Sequence, residues 1–267
     1  MLLDRLEALV ALAAKRRGLV LTATGALARA EALTVASVAG LPRAAATTGE
    51  VALLTAVAVA VGLLRVRGQR LEVTSLRAPW SRIAPNLRAG IIYAAWCHRM
   101  PWPSVLGADP AIGRLHAGRL RVLHLLHALP PAVDINVPAL TRTLIPALED
   151  EDPWVAGEGA EDAGVGAVGK GAGVWGQVDA GVAGEARASV PDPGAEAAGA
   201  LPPGSDLVAC LAAAFLAPLG ALGVAELEPA PPATPLRMRL LPEARTVVAS
   251  ALLAAGEEVP VEPLSEN

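Results

Sequence analysis

The stretch Gly164-Val165-Gly166-Ala167-Val168-Gly169-Lys170-Gly171 is where this sequence comes nearest to a nucleotide site. It satisfies G-x-G-x-x-G and misses G-x-x-x-x-G-K-[ST] only at its last position. Both motifs hold phosphate on backbone N–H groups at a helix N-terminus, so both need a strand before the loop and a helix after it. Here Glu161-Asp162 and more glycine flank the tract, and Gly171 stands in place of the Mg²⁺-binding hydroxyl. A glycine-rich segment produces such matches by chance, and no cofactor is expected. His124 and His127 lie three apart, a helical spacing that can hold a metal. But His124 shares its face with Arg121, and no acidic or cysteine ligand lies at a suitable spacing. No metal site is expected either. A Ser-based triad needs a strained elbow such as G-x-S-x-G, which is absent. Ser81, Ser104 and Ser205 sit beside turns or helix starts, where capping is the ordinary role. The run Glu149-Asp150-Glu151-Asp152 reads as solvated acid rather than a catalytic pair. With no catalytic residue in view, the chain is expected not to be an enzyme.

The cations carry the clearer signal. The candidate nucleic-acid contacts are Lys15, Arg16, Arg17, Arg29, Arg65, Arg67 and Arg70, with Arg77, Arg82 and Arg88 behind them. Arg65 and Arg67 fall on one side of a strand, because side chains alternate with period two. Arg70 falls on the returning strand. Three arginines on a hairpin can grip phosphates or enter a minor groove; equally, they can keep an edge strand soluble and unpaired. Aromatic residues for stacking bases are missing from this set, which disfavours single strands. Residues 1–142 hold 17 Lys+Arg against 7 Asp+Glu, and residues 143–267 hold 5 against 19. Such asymmetry can mark a nucleic-acid face beside an acidic arm, or simply two solvated surfaces that differ.

These residues need elements to hold them. Leu2–Ala14 has helical period, with Asp4 near its start and Lys15-Arg16-Arg17 at its end. A short extended segment at Leu19–Thr22 follows, then a helix over Ala28–Ala39. Thr48 can cap a third helix, Glu50–Leu63. In 64–73, apolar and charged residues alternate on either side of Gly68-Gln69, which is a hairpin signal. Three helices and a hairpin make the winged-helix order: the helices bury one apolar seam, and the hairpin, or wing, covers its open end. Helices are expected again over Pro85–Arg99, Arg119–Leu129 and Val137–Ile145, the last capped by Asn136. An apolar helix over Asp206–Leu219, strands at Val224–Leu227 and Leu236–Leu240, and a helix at Glu243–Ala255 complete the chain. Pro218, Gly220 and Gly223 are expected to break the apolar run Leu207–Ala225. Between these parts, Trp154–Gly204 holds 13 of the 26 glycines and no period, the mark of a disordered acidic linker.

The expected fold is mostly α: two winged-helix-like units of helices plus short β-hairpin wings, with a disordered acidic Gly/Ala-rich insertion. The first unit spans 1–105 with its following helix. The second combines 106–153 with 205–258. The insertion is 154–204, and 259–267 is a flexible tail.

The run Leu21-Thr22-Ala23-Thr24-Gly25-Ala26-Leu27-Ala28-Arg29 resembles an "LT-x-[ST]-G-x-L-x-[KR]" segment of a bacterial helicase-associated domain. That domain is similar to the N-terminal region of XPB-type DNA helicases. The resemblance continues through Gly62-Leu63-Leu64, Trp80, Leu87-Arg88 and Ala94-Ala95-Trp96, and returns at Pro218-Leu219-Gly220-Ala221-Leu222-Gly223-Val224. It departs at Leu240-Leu241-Pro242-Glu243-Ala244, which lacks the Thr and Gly of the family's "LT-x-x-G" turn. No Walker A site and no Asp-Glu-x-His box is present, so the resemblance implies an accessory region without the motor.

Apolar residues make up 53% of the chain and aromatics 3%, so its cores must be built of Ala, Leu and Val. Cys97 and Cys210 are too few for a disulfide framework, and a reducing cytoplasm is the default location. Val51–Leu64 is too short to span a bilayer, and Leu207–Ala225 is broken, so no membrane partner is expected. The expected function is a non-catalytic accessory protein that binds duplex DNA. The alternative is an adaptor for a protein such as a helicase or nuclease, with no nucleic-acid contact.

Overall fold

Leu6, Leu9, Val10 and Ala13 bury one stripe of α1 (Leu2–Lys15), as their helical spacing requires. The computed structural model describes residues 2–47, 49–107, 109–149, 206–229 and 234–259. The expected insertion with its glycine tract lies outside them, as do residues 260–267 of the expected tail. Among the described residues the chain is mostly helical, with two small antiparallel sheets.

After α1 come β1 (Leu19–Val20), α2 (Arg29–Val38), α3 (Glu50–Ala60) and the hairpin of β2 (Leu64–Arg67) with β3 (Arg70–Val73). Gly18 is required between α1 and β1. Its φ is 106°, and a Cβ there would press on Arg70 Nε at 3.3 Å and the Leu71 carbonyl at 3.4 Å. The third helix is shorter than its apolar run suggests: Gly62, at φ 85°, ends it, and Gly49, at φ 92°, occupies the cap position. Thr48, the expected cap, lies outside the described residues.

Four further helices, α4 (Arg77–Trp80), α5 (Pro85–Arg99), α6 (Trp102–Leu106) and α7 (Pro110–Ala117), lead into α8 (Arg119–Ala128). Then follow β4 (Asp134–Asn136) and α9 (Val137–Glu149). Asn136 caps α9 as expected, its Oδ1 accepting from the Ala139 N–H at 2.8 Å. The chain resumes with α10 (Leu207–Leu211), a π turn (Ala212–Leu216), α11 (Ala217–Leu222), strands β5 (Ala225–Glu228) and β6 (Arg237–Leu240), and α12 (Pro242–Ala254). The two sheets share one topology. The order is β1-β3-β2 in the first and β4-β6-β5 in the second, so the first strand pairs with the last and the middle one lies beyond it.

The helix runs through Pro218 to Leu222, three residues past the expected Asp206–Leu219, and of the three expected breakers it is Gly223, at φ 76°, that ends it. Proline cannot donate to the carbonyl four residues back, Ala214. The π turn accommodates the proline, and the Trp96 indole Nε1 donates to that Ala214 carbonyl at 2.7 Å. Tyr93 donates its hydroxyl to the Phe215 carbonyl at 3.4 Å. Trp102, fully buried, donates to the Trp96 carbonyl at 2.7 Å and meets Phe215 edge-on, ring centroids 4.9 Å apart. These contacts seat the apolar helix against α5 and α6. On its other side α5 packs closely along α12, where Gly90 leaves room for Ser250. No helix among the described residues is long and apolar enough to cross a membrane.

Candidate nucleic-acid interface

Strands β2 and β3 pair Leu64 with Val73, Arg65 with Glu72, Val66 with Leu71 and Arg67 with Arg70. Directly opposed residues in an antiparallel pair share a face. Arg65, Arg67, Arg70 and Glu72 therefore stand together on one face, and Leu64, Val66, Leu71 and Val73 on the other. Gly68, at φ 57°, makes the turn that the alternating pattern predicts. Three cations face one carboxylate. Arg67 approaches Glu72 only to 3.9 Å and keeps its side chain mostly exposed. Arg67 and Arg70, directly opposed, repel one another, which costs stability unless an anion sits between them. Arg70 is tethered: its Nη2 donates to the Gly18 carbonyl at 3.3 Å.

That tether brings the end of α1 to the hairpin. Gly18 follows Lys15, Arg16 and Arg17, and β1 lays Val20 opposite Arg70. On the outer edge of β1, the Ala28 N–H donates to the Val20 carbonyl at 2.9 Å, which places Arg29 at the start of α2 nearby. The ladder thus joins β1, which lies between Lys15-Arg16-Arg17 and Arg29 in the chain, to Arg70, with Arg65 and Arg67 one strand further on. Arg16 is the exception in chemistry: it pairs with Glu31 at 2.6 Å, and its charge is already met. The sequence gives no sign of that pair, because it joins the turn after α1 to helix α2, 15 residues on.

The second sheet has the same topology but different electrostatics. Arg239 lies opposite both Glu226 and Asp134, and Arg237 lies opposite Glu228 and Asn136. Arg239 binds Asp134 at 2.8 Å and reaches Glu226 at 3.7 Å. Three carboxylates therefore neutralise two arginines on this face.

Helix α3, which precedes the first hairpin, carries no cation at all. Its sequence is EVALLTAVAVA, and its one hydroxyl, Thr55, donates to the Val51 carbonyl at 2.8 Å. Glu50, in the first turn, is the one side chain on α3 with a polar group left to meet a base edge.

The histidines considered as metal ligands are dispersed. His124 is exposed and lies 3.2 Å from the Glu257 carboxylate. No cluster of three His, Cys, Asp or Glu side chains exists among the described residues. Burial pushes the Cys97 thiol well up, and it pushes Cys210 up to about 11, aided by the Asp109 and Asp206 carboxylates. Neither is a thiolate at neutral pH. Ser81 stands at the C-cap of α4, and its hydroxyl donates back to the Ala78 carbonyl at 3.0 Å.

An interior polar chain is the feature that spacing did not reveal. Arg119 donates from Nε to His98 Nδ1 at 3.3 Å and from Nη1 to the His116 carbonyl at 3.0 Å. His98 Nδ1 is thus an acceptor, so its proton sits on Nε2, which donates to the Ala251 carbonyl at 2.6 Å. Burial first, then the Arg119 and Arg99 charges, holds His98 below its ordinary value of 6.5, against the pull of the Ala251 bond. Burial, then Arg119 and His98, lowers His116 as well. Both are neutral in the folded chain, and the unfolded chain takes up their protons first. Stability is therefore full above about pH 6.5 and falls as pH drops toward the lower folded-state values. The melting temperature should decline as pH falls from about 6.5 to 5.5, a window above the ordinary carboxylate range. The double variant His98→Gln/His116→Gln should flatten that decline, and an unchanged slope would show that other groups cause it.

Comparison with known protein families, with characterised proteins and with solved structures finds no match to this chain.

Proposed function

We propose that each half of the chain is a winged-helix unit, and that the protein is a non-catalytic accessory factor that binds duplex DNA in a helicase-associated context. The first wing grips backbone phosphates through Arg65, Arg67 and Arg70, with Lys15, Arg17 and Arg29 at its margin. One observation carries this reading. The first hairpin presents three arginines against one carboxylate, whereas the equivalent face of the second sheet is neutralised from within. Phosphate contacts position a protein without reading sequence. Since α3 offers no cation or amide to a base edge, the contacts are to phosphate and binding is expected to be indifferent to sequence. The helicase context comes from the resemblance to the XPB N-terminal region.

The adaptor reading has its own support. An apolar cleft of about 600 Å³ runs between α3 and the α10–α11 helix, lined by Leu53, Ala213, Ala217 and Leu227 among others. A protein segment could lie there with no nucleic acid involved.

Fluorescence anisotropy of a labelled random duplex separates the two. With three phosphate contacts, log affinity should fall against log salt with a slope of about −2.7. That is roughly a forty-fold loss between about 50 and 200 mM salt. A duplex that fails to bind, or whose binding ignores salt, would leave the adaptor in possession.

A further inference from the structure

Between α1, the end of β3 and the α4–α5 segment lies a second cleft, of about 880 Å³. Its wall includes Ser75, Arg77, Trp80 and Arg88, with Glu7 opposite. The arrangement is unusual in its donors. Trp80 is only 7% exposed, yet its indole Nε1 has no hydrogen-bond partner among the described residues. Arg88 Nε is in the same condition. The two other buried indoles, Trp96 and Trp102, each donate to a carbonyl at 2.7 Å. A buried donor without an acceptor is costly and uncommon in a finished structure. Here two of them belong to neighbouring residues that wall one cleft.

The charges point the same way. Arg88 is held by Glu7 through Nη1, while its Nε–H stays unpaired. Arg77 is exposed, and its guanidinium engages no described residue; the Ser75 hydroxyl is equally unengaged. Two cations therefore face one carboxylate. Val10, Leu63 and Val73 supply an apolar floor beside them. An exposed cation and hydroxyl at the rim, unsatisfied donors buried in the wall and an apolar floor are together the make-up of a small-ligand site.

We propose that this cleft binds an oxyanion carried on a small apolar body. Arg77 and Ser75 make the first contacts from the exposed rim, and the apolar body lies on Val10, Leu63 and Val73. The Trp80 and Arg88 N–H groups then turn to the acceptor that the protein does not itself provide. The site is separate from the hairpin arginines and stands whether or not the chain binds duplex. A nucleic-acid phosphate shares the oxyanion chemistry but lacks the apolar body, so a duplex is the competing source.

Indole ¹⁵N–¹H NMR on the full chain, titrated with phenyl phosphate, tests this. The chain has five tryptophans, and the Trp80 signal is identified by its loss in Trp80→Phe. The expected result is a saturable downfield shift of that one proton, with the Trp96 and Trp102 signals unmoved. Arg77→Ala, at an exposed position, should weaken the apparent Kd about tenfold, the loss of one charge-assisted contact. The proposal is overturned if the Trp80 proton stays still up to ~10 mM phenyl phosphate, enough to saturate a millimolar site. An Arg77→Ala variant that binds equally well also overturns it. So does a shift with duplex but none with phenyl phosphate, which would make the cleft part of a nucleic-acid surface.

Discussion

Reversal of Arg65, Arg67 and Arg70 to glutamate together should lower duplex affinity on the order of a thousandfold, at about 1.4 kcal/mol for each lost charge-assisted contact. The salt slope should flatten by roughly one for each contact removed. Loss should be uniform across duplex sequences, because phosphate contacts carry no sequence information. A control lies on the second sheet. Arg237→Glu changes charge equally, at an exposed site on a face already rich in carboxylates, and should leave the slope alone. The stability of the free protein gives an independent check. Arg67 and Arg70 are directly opposed like charges, so Arg67→Gln relieves a repulsion of roughly 0.2–1 kcal/mol. That variant should bind duplex more weakly and melt no lower than the parent. Residues kept for solubility alone would leave binding unchanged, and residues kept for stability would lower the melting temperature.

The largest effect on stability is expected at Trp102. Trp102→Ala empties a fully buried site, removes the edge-on contacts with Phe215 and His116, and takes the donor from the Trp96 carbonyl. Truncations of this kind cost about 3–5 kcal/mol. For a chain of this size that lowers the melting temperature by roughly 10 °C or more in calorimetry. The neighbouring indole allows a sharper test of why the helix survives its proline. Trp96→Phe strands the Ala214 carbonyl and should cost about 1–3 kcal/mol beyond the lost packing. Pro218→Ala restores a backbone N–H that can reach the same carbonyl. In a double-mutant cycle the two changes should therefore be non-additive, with Pro218→Ala relieving part of the Trp96→Phe penalty. Strict additivity would mean that the indole and the missing N–H do not answer one another.

Much of the helical framework is legible from apolar spacing alone. The stripe Leu6, Leu9, Val10 and Ala13 defines α1, and Pro85–Arg99 is bounded in the sequence as it is in the fold. The first hairpin is equally plain, because the alternation in 64–73 and the Gly68 turn are local properties. Strand β4 escapes such reasoning. Three residues, Asp134-Ile135-Asn136, carry no period of their own and become a strand only by pairing with Arg237–Leu240, about a hundred residues on. Helix α7 is also too short, and too interrupted by Gly113, to stand out, although Asp109 caps it.

For the candidate site, local sequence determined which cations share a hairpin face, since strand alternation requires nothing from the rest of the chain. Whether each cation is available was decided by tertiary structure. Arg16 is met by Glu31, Arg88 by Glu7, and Arg239 by Asp134, partners 15, 81 and 105 residues away. The fate of Pro218 was decided the same way, by an indole from a helix more than a hundred residues earlier. Periodicity depends on neighbours along the chain and can be read there. Neutralisation and hydrogen-bond satisfaction depend on neighbours in space, and only the packed structure brings those together.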